Sequence, residues 1–280
     1  MIPFHQLLES WNWFFHEPIS LFPLAVFRMA FGAIVFLNGL LLLPCVPRHL
    51  AVDAVVDFAR FERTVGRSRL NLLNILPSTT SSVYFLIFLS CTAGLMLAVG
   101  FWTRIAAVLV WLTITSIHHR NSAIFHGGDT VMRIMSFLVM FSPAGAGWSL
   151  DAWMVGKWEA SGDPWCVRLL QIQVSIIYLR SVFWKLRGKE WRDGTAAWYP
   201  INCDAYTRYQ LPAALMSPFF IRAATWGTLV VETALGSIIW IEECRFWVML
   251  SGVILHLQLE YLMNLQLFGW TMIACLMLFL

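Results

Sequence analysis

A polar stripe runs along an otherwise apolar helical segment between Val167 and Trp184 and ends on a lysine. The segment is long enough to cross a membrane, yet it carries Arg168, Gln171, Gln173, Ser175, Tyr178 and Arg180 and runs into Lys185. At about 100° per residue, positions seven apart nearly align, so Gln171, Tyr178 and Lys185 share a face with Ser175 beside them. A central lysine in a membrane helix costs roughly 2.5–3.5 kcal/mol even on the lenient insertion scale, so the stripe belongs against a bundle interior or a cavity. Burial disfavours the ammonium, and a neutral amine poised near neutral pH is a competent general base. The plainer alternative is that Lys185 snorkels to the headgroups at a helix end. Tyr178, two turns away, is placed either to touch the ligand that Lys185 touches or to bond a neighbouring helix. Gln171 and Gln173 point to different faces, so at most one joins the stripe. Either serves equally as polar glue between helices.

A second cluster is His118-His119-Arg120 followed by His126-Gly127-Gly128-Asp129 and Arg133. Asp129 and Arg133 are four apart and can pair on a continuous helix. The two glycines permit a helix break with free backbone groups facing a cavity. Taken singly, these residues also read as a structural ion pair with interfacial histidines. A third face presents His256, Glu260 and Asn264 at four-residue spacing. It could orient a proton carrier or join an interhelical network with Glu232. A metal needs three or four converging ligands, and none is expected.

These groups sit in a chain of 280 residues, 59% hydrophobic and 12% charged, with a mean hydropathy of +0.69. Soluble domains carry about 25% charged residues. The composition predicts an integral membrane protein, an all-α bundle of about eight spans with interfacial helices. Fifteen tryptophans suit interfacial belts. A net charge of +3 is too small to suggest nucleic acid. No linker divides the chain, so residues 1–280 read as one domain. The six cysteines, Cys45, Cys91, Cys166, Cys203, Cys244 and Cys275, show neither a C-x-x-C pair nor metal spacing, and their pairing is left open. The N-terminus lacks the basic n-region of a cleavable signal.

The positioning elements follow from apolar runs. Residues 4–15 read as an interfacial helix, and 48–76, with Arg48, Arg60, Arg63, Arg67 and Arg69, as one or two surface helices. Spans are expected at about 21–43, containing Arg28, and at 80–100, 102–118, 130–142, 166–185, 219–241, 245–261 and 265–280. The loop 186–218 carries Trp191, an interfacial anchor, and Asp193-Gly194, a turn with glycine supplying positive φ. Eleven basic residues fall on one side, which puts those loops in the cytoplasm by the positive-inside rule.

Gln173, Tyr178, Lys185-Leu186, Trp191 and Gly194 resemble the membrane core of vitamin K-dependent γ-glutamyl carboxylases and of their bacterial relatives, the horizontally transferred transmembrane (HTTM) proteins. The stretch Arg120–Asp151 resembles the preceding family segment, ending in a Ser-x-Asp turn, and Arg28, Glu232, Arg245 and His256 match more weakly. The resemblance implies that Lys185 is the base that deprotonates a reduced quinone, a vitamin K-like cofactor. Beside that base, Tyr178 is expected as a ligand contact in the catalytic set and His126 and Asp129 as a proton or anion partner, with Gln171, Ser175, Arg133 and His256 around the cofactor. Ser122 stands where the carboxylases have a histidine, a departure that counts against carboxylation. The family's β-rich extramembrane domain is expected to be absent, since the chain closes on TMIACLMLFL. A peptide substrate would then be held by loops or by a small partner protein, among membrane lipids. The resemblance also implies a bacterial cytoplasmic membrane and a site open to the exoplasmic face, against the charge count. A membrane subunit or chaperone that kept the bundle and lost the chemistry is the alternative.

Overall fold

The computed structural model describes residues 4–54, 70–121 and 124–280. The expectations for Arg60, Arg63, Arg67, Arg69 and Ser122 lie outside the described residues. The protein is all-α, and each apolar segment predicted as a span contains helix. Among the described residues, three helices are long and apolar enough to cross a membrane, Phe22–Leu50, Thr80–Val99 and Trp165–Arg187. Sheet among the described residues is one two-residue pairing of β1 (Ile19–Ser20) with β2 (Ser161–Gly162).

The chain divides into two compact units, Met1–Leu170 and Gln171–Leu280. The first holds α1 (Phe4–His16), α2 (Phe22–Leu42), α3 (Thr80–Val99), α4 (Thr103–Arg120), α5 (Gly127–Val139) and the short α6 (Leu150–Val155). The amphipathic N-terminus forms α1 as expected, with Trp11 and Trp13 exposed. Pro23 stands in the first turn of α2, where a missing N–H costs nothing. Helix α3 opens on Thr79, whose hydroxyl accepts from Ser82 N at 3.3 Å.

Helices α2 and α3 touch backbone to backbone. A Cβ at Gly32 would fall 2.6 Å from Gly94 O and 2.5 Å from Ala98 N, so only glycine admits this approach. Beside the crossing, the fully buried Arg28 donates to Leu97 O (2.7 Å), Ala98 O (2.9 Å) and Trp148 O (2.5 Å). Two of these carbonyls belong to the last turn of α3, where Leu97 O also accepts from Gly100 N at 3.2 Å. A core of Val46, Leu50, Val83, Leu86, Ile87 and Ile117 packs at the other end of this helix pair, around the start of α3.

The second unit is built from the greater part of α7 (Trp165–Arg187), α8 (Lys189–Arg192), α9 (Trp198–Ile201), α10 (Pro218–Gly236), α11 (Glu242–Leu262) and α12 (Phe268–Leu276). The predicted turn at Asp193-Gly194 is present, with Gly194 at φ +76°. All six cysteines are free thiols.

Candidate functional site

The stripe on α7 faces inward within the second unit, and each of its members meets a different later element. Gln171 Nε2 donates to Leu278 O at 2.7 Å. Ser175 Oγ accepts from Trp240 Nε1 at 2.9 Å. The Tyr178 hydroxyl meets His256 Nε2 of α11 at 2.7 Å, with both side chains buried. Lys185 Nζ donates to Glu232 Oε1 of α10 in an ion pair, and Trp191 places its ring centroid 4.8 Å from the same Nζ.

The helical period thus set the face, and four packed elements supply what it faces. Gln173 lies off the buried face, as its spacing requires. The Lys185 side chain keeps 21% of its surface exposed and that of Glu232 8%. Such a pair costs desolvation of both charges and gains their mutual attraction in a weakly screened surround.

Two buried atoms here have no hydrogen-bond partner among the described residues, Glu232 Oε2 and His256 Nδ1. Native structures leave few such groups, and each calls for a ligand, a water or a chemical role. Both pairs are anchored on the same face of α7, Tyr178 seven positions before Lys185. The inward face of α7 thus carries a buried pair, Tyr178–His256, and a half-buried one, Lys185–Glu232.

Sequence reasoning placed Glu232 only in a network with His256. The structure gives Glu232 to Lys185 and His256 to Tyr178 instead. A usable signal was present, because a glutamate inside an apolar helix needs a partner, and Lys185 is the cation inside another. The face His256–Glu260–Asn264 does not form as drawn. Helix α11 ends at Leu262, Glu260 Oε2 accepts from Gly269 N at 2.9 Å, and Asn264 N donates to Tyr206 O at 2.7 Å.

His126, Asp129 and Arg133 belong to the first unit. There the expected Asp129–Arg133 pair is not formed among the described residues. The glycines start α5 rather than break it. His126 is the N-cap, with its Nδ1 accepting from Gly128 N at 3.0 Å, while its own N–H donates to Asp129 Oδ2 at 2.8 Å. This is a capping box with an imidazole in the place of a hydroxyl, and it turns Asp129 away from the next helical turn. His118 Nε2 stands 3.9 Å from Asp129 Oδ1. Arg133 makes no ion pair among the described residues.

The Ser-x-Asp turn forms and carries helix caps. Ser149 Oγ accepts from Ala152 N at 3.0 Å. Asp151 accepts from Trp102 N (2.8 Å), Thr103 N (2.8 Å) and Thr103 Oγ1 (2.6 Å), and so caps α4. Burial works to raise its pKa, but these hydrogen bonds and the charge of Arg28 outweigh it and hold the carboxyl below its usual value. A half-open cavity of about 230 Å³, lined by Thr103, Arg104, Ser142, Pro143 and Asp151, adjoins this cap.

An all-α fold with long apolar helices and a lysine paired to a buried glutamate between two of its helices defines a polytopic membrane protein. The chain belongs to the HTTM domain family, whose model matches residues 16–280. It is 28% identical over 206 residues to "Uncharacterized protein YitO" of Bacillus subtilis (strain 168), covering 68% of this chain and 65% of that protein. It is 25% identical over 200 residues to "Sporulation-delaying protein SdpB" of the same organism, covering 66% of this chain and 60% of that one. The chain thus spans less than two thirds of either relative's length. No solved structure matches it.

Proposed function

We propose that this protein is an enzyme of the bacterial cytoplasmic membrane, working as one domain over residues 1–280. Lys185 is its base, in a quinol- or lipid-linked reaction that modifies a peptide or a small molecule. The observation that carries this reading is the Lys185–Glu232 pair with Glu232 Oε2 buried and unpartnered beside it.

A lysine bound to a carboxylate is charged, and a charged amine accepts no proton. Glu232 Oε1, already in contact with Nζ, is the acceptor to which that proton would pass before Lys185 takes one from the substrate. Trp191 and the walls of α7 and α10 limit water at the amine, which strengthens every charge interaction there.

The chemistry of the unpartnered atoms fits a reduced quinone. Glu232 Oε2 accepts from a hydroxyl, and His256 Nδ1 accepts or donates according to tautomer. These two residues would hold the ring's oxygens, with Tyr178 orienting His256. Such a cofactor, when bound, supplies an acidic hydroxyl and reducing power. His126 and Asp129 enter this reading only through their cap of α5.

A second reading, a non-catalytic subunit or chaperone for peptide maturation, immunity or assembly, draws on a specific observation. Gln171, Ser175 and Tyr178 are each consumed by a hydrogen bond inside the unit, as interhelical glue would be. Native mass spectrometry with lipid extraction, on the purified wild type and Lys185→Ala, separates the two. The enzyme reading expects a quinone in the wild type that is lost in the variant. Absence of quinone from both, with a stoichiometric protein partner in both, favours the subunit.

A further inference from the structure

We propose that the outer face of the last two turns of α7, continued by α8, binds the phosphate of an anionic phospholipid headgroup. Arg180, Phe183, Trp184 and Arg187 stand at i, i+3, i+4 and i+7, one face of a helix. Arg180 is two positions, about 200°, on from Tyr178, so this face lies nearly opposite the Lys185 stripe. All four side chains are exposed.

They form a column of cations and rings. The Arg180 guanidinium lies 4.9 Å from the Trp184 ring centroid and 5.8 Å from that of Phe183. The Arg187 guanidinium lies 4.2 Å from Phe183 and 5.0 Å from Trp184. A guanidinium that spends its face on a ring keeps its edge N–H donors for a planar or tetrahedral oxyanion. Lys189 and Arg192 of α8 follow directly. None of these four cations makes an ion pair among the described residues, although Glu190 and Asp193 adjoin Lys189 and Arg192 in sequence, so Arg180 and Arg187 carry the site.

The helix itself puts the column at headgroup depth. Trp165 and Trp184 are exposed rings near its two ends. At 1.5 Å per residue they stand about 28 Å apart along the axis, close to a hydrocarbon thickness of about 30 Å. Tryptophans at both interfaces are the expected belt. Arg187, Lys189 and Arg192 then lie at or beyond the headgroups, and Arg180 reaches them by extending past Trp184. Exposed Phe183, Trp184 and Leu186 border the cations with apolar surface that suits an acyl chain. This favours a lipid over a free phosphate. The face is independent of the assignment made for Lys185.

The test is native mass spectrometry of the full chain titrated separately with phosphatidylglycerol, phosphatidylcholine and inorganic phosphate. Two cations near an anionic surface predict a preference for phosphatidylglycerol over phosphatidylcholine of roughly tenfold to thirtyfold. R180Q/R187Q should lose that preference while its helicity by circular dichroism stays unchanged. Equal retention of the two lipids overturns the proposal, as does a preference that survives in R180Q/R187Q. Displacement of phosphatidylglycerol by millimolar inorganic phosphate overturns the lipid in favour of a soluble anion. Phenylglyoxal labelling of the wild type needs no variant. Phosphatidylglycerol should shield Arg180 and Arg187 from modification, and unchanged labelling counts against the site.

Discussion

Tyr178 and His256, 78 residues apart in the chain, meet at 2.7 Å between two helices, where neither side chain is open to solvent. The bond leaves His256 Nδ1 as a buried nitrogen without a partner, so the histidine is tied on one side and free on the other. That asymmetry suits a group held for a ligand, and it makes the pair sensitive to substitution.

Tyr178→Phe removes the hydroxyl and leaves both nitrogens of His256 unpaired. Orphaning a buried polar group costs about 1–3 kcal/mol. Thermal unfolding in detergent should show that loss. A cycle with His256→Phe should show strong coupling, because the second change removes the orphan. Additive losses would mean that the bond contributes little.

Lys185→Met strands Glu232 with two unpaired oxygens, and Glu232→Met strands the ammonium. Each single change should approach, without reaching, the roughly 3–5 kcal/mol of a fully buried broken pair, since Lys185 retains partial exposure. The double variant should be more stable than either single one. Denaturation midpoints of the three variants decide it.

Asp151 gives the first unit an acid-sensitive cap. Its folded pKa is depressed, so its contribution to stability is present above the unfolded carboxyl value of about 4. It is lost as pH falls through the lower folded value. Asp151→Asn should flatten the stability profile on that acid side. Asp151→Ala should cost about 0.5–2 kcal/mol at neutral pH through the lost cap of α4. Melting temperatures from pH 2 to 7 give both numbers.

Gly32→Ala drives a methyl into the backbone of α3, where neither Gly94 O nor Ala98 N can turn aside. The gain in helix propensity of roughly 0.5–1 kcal/mol is smaller than the overpacking cost of about 1–3 kcal/mol. The variant should be net destabilised and yield less monodisperse protein on size exclusion. Gly227→Ala, where a Cβ meets nothing within 4 Å, is the control and should be neutral or better.

The amino-acid order alone determined the class of protein and the location of its long apolar helices, because apolar run length and the 3.6-residue period are local properties, whereas the short α6, α8 and α9 fall in stretches that read as loop. It also determined that Gln171, Tyr178 and Lys185 share a face, since helical geometry fixes that without any neighbour. Tertiary structure decided what the face meets. Glu232 and His256 lie 47 and 78 positions from their partners, and no local pattern says which turn of α10 or α11 packs against which turn of α7. The same holds for His126 and Asp129. Their spacing allowed a pair with Arg133, but the start of α5 at Gly127 left backbone N–H groups to be capped, and the nearest side chains took that role. Periodicity is written into the chain, whereas partnership depends on which helices pack together and at what register.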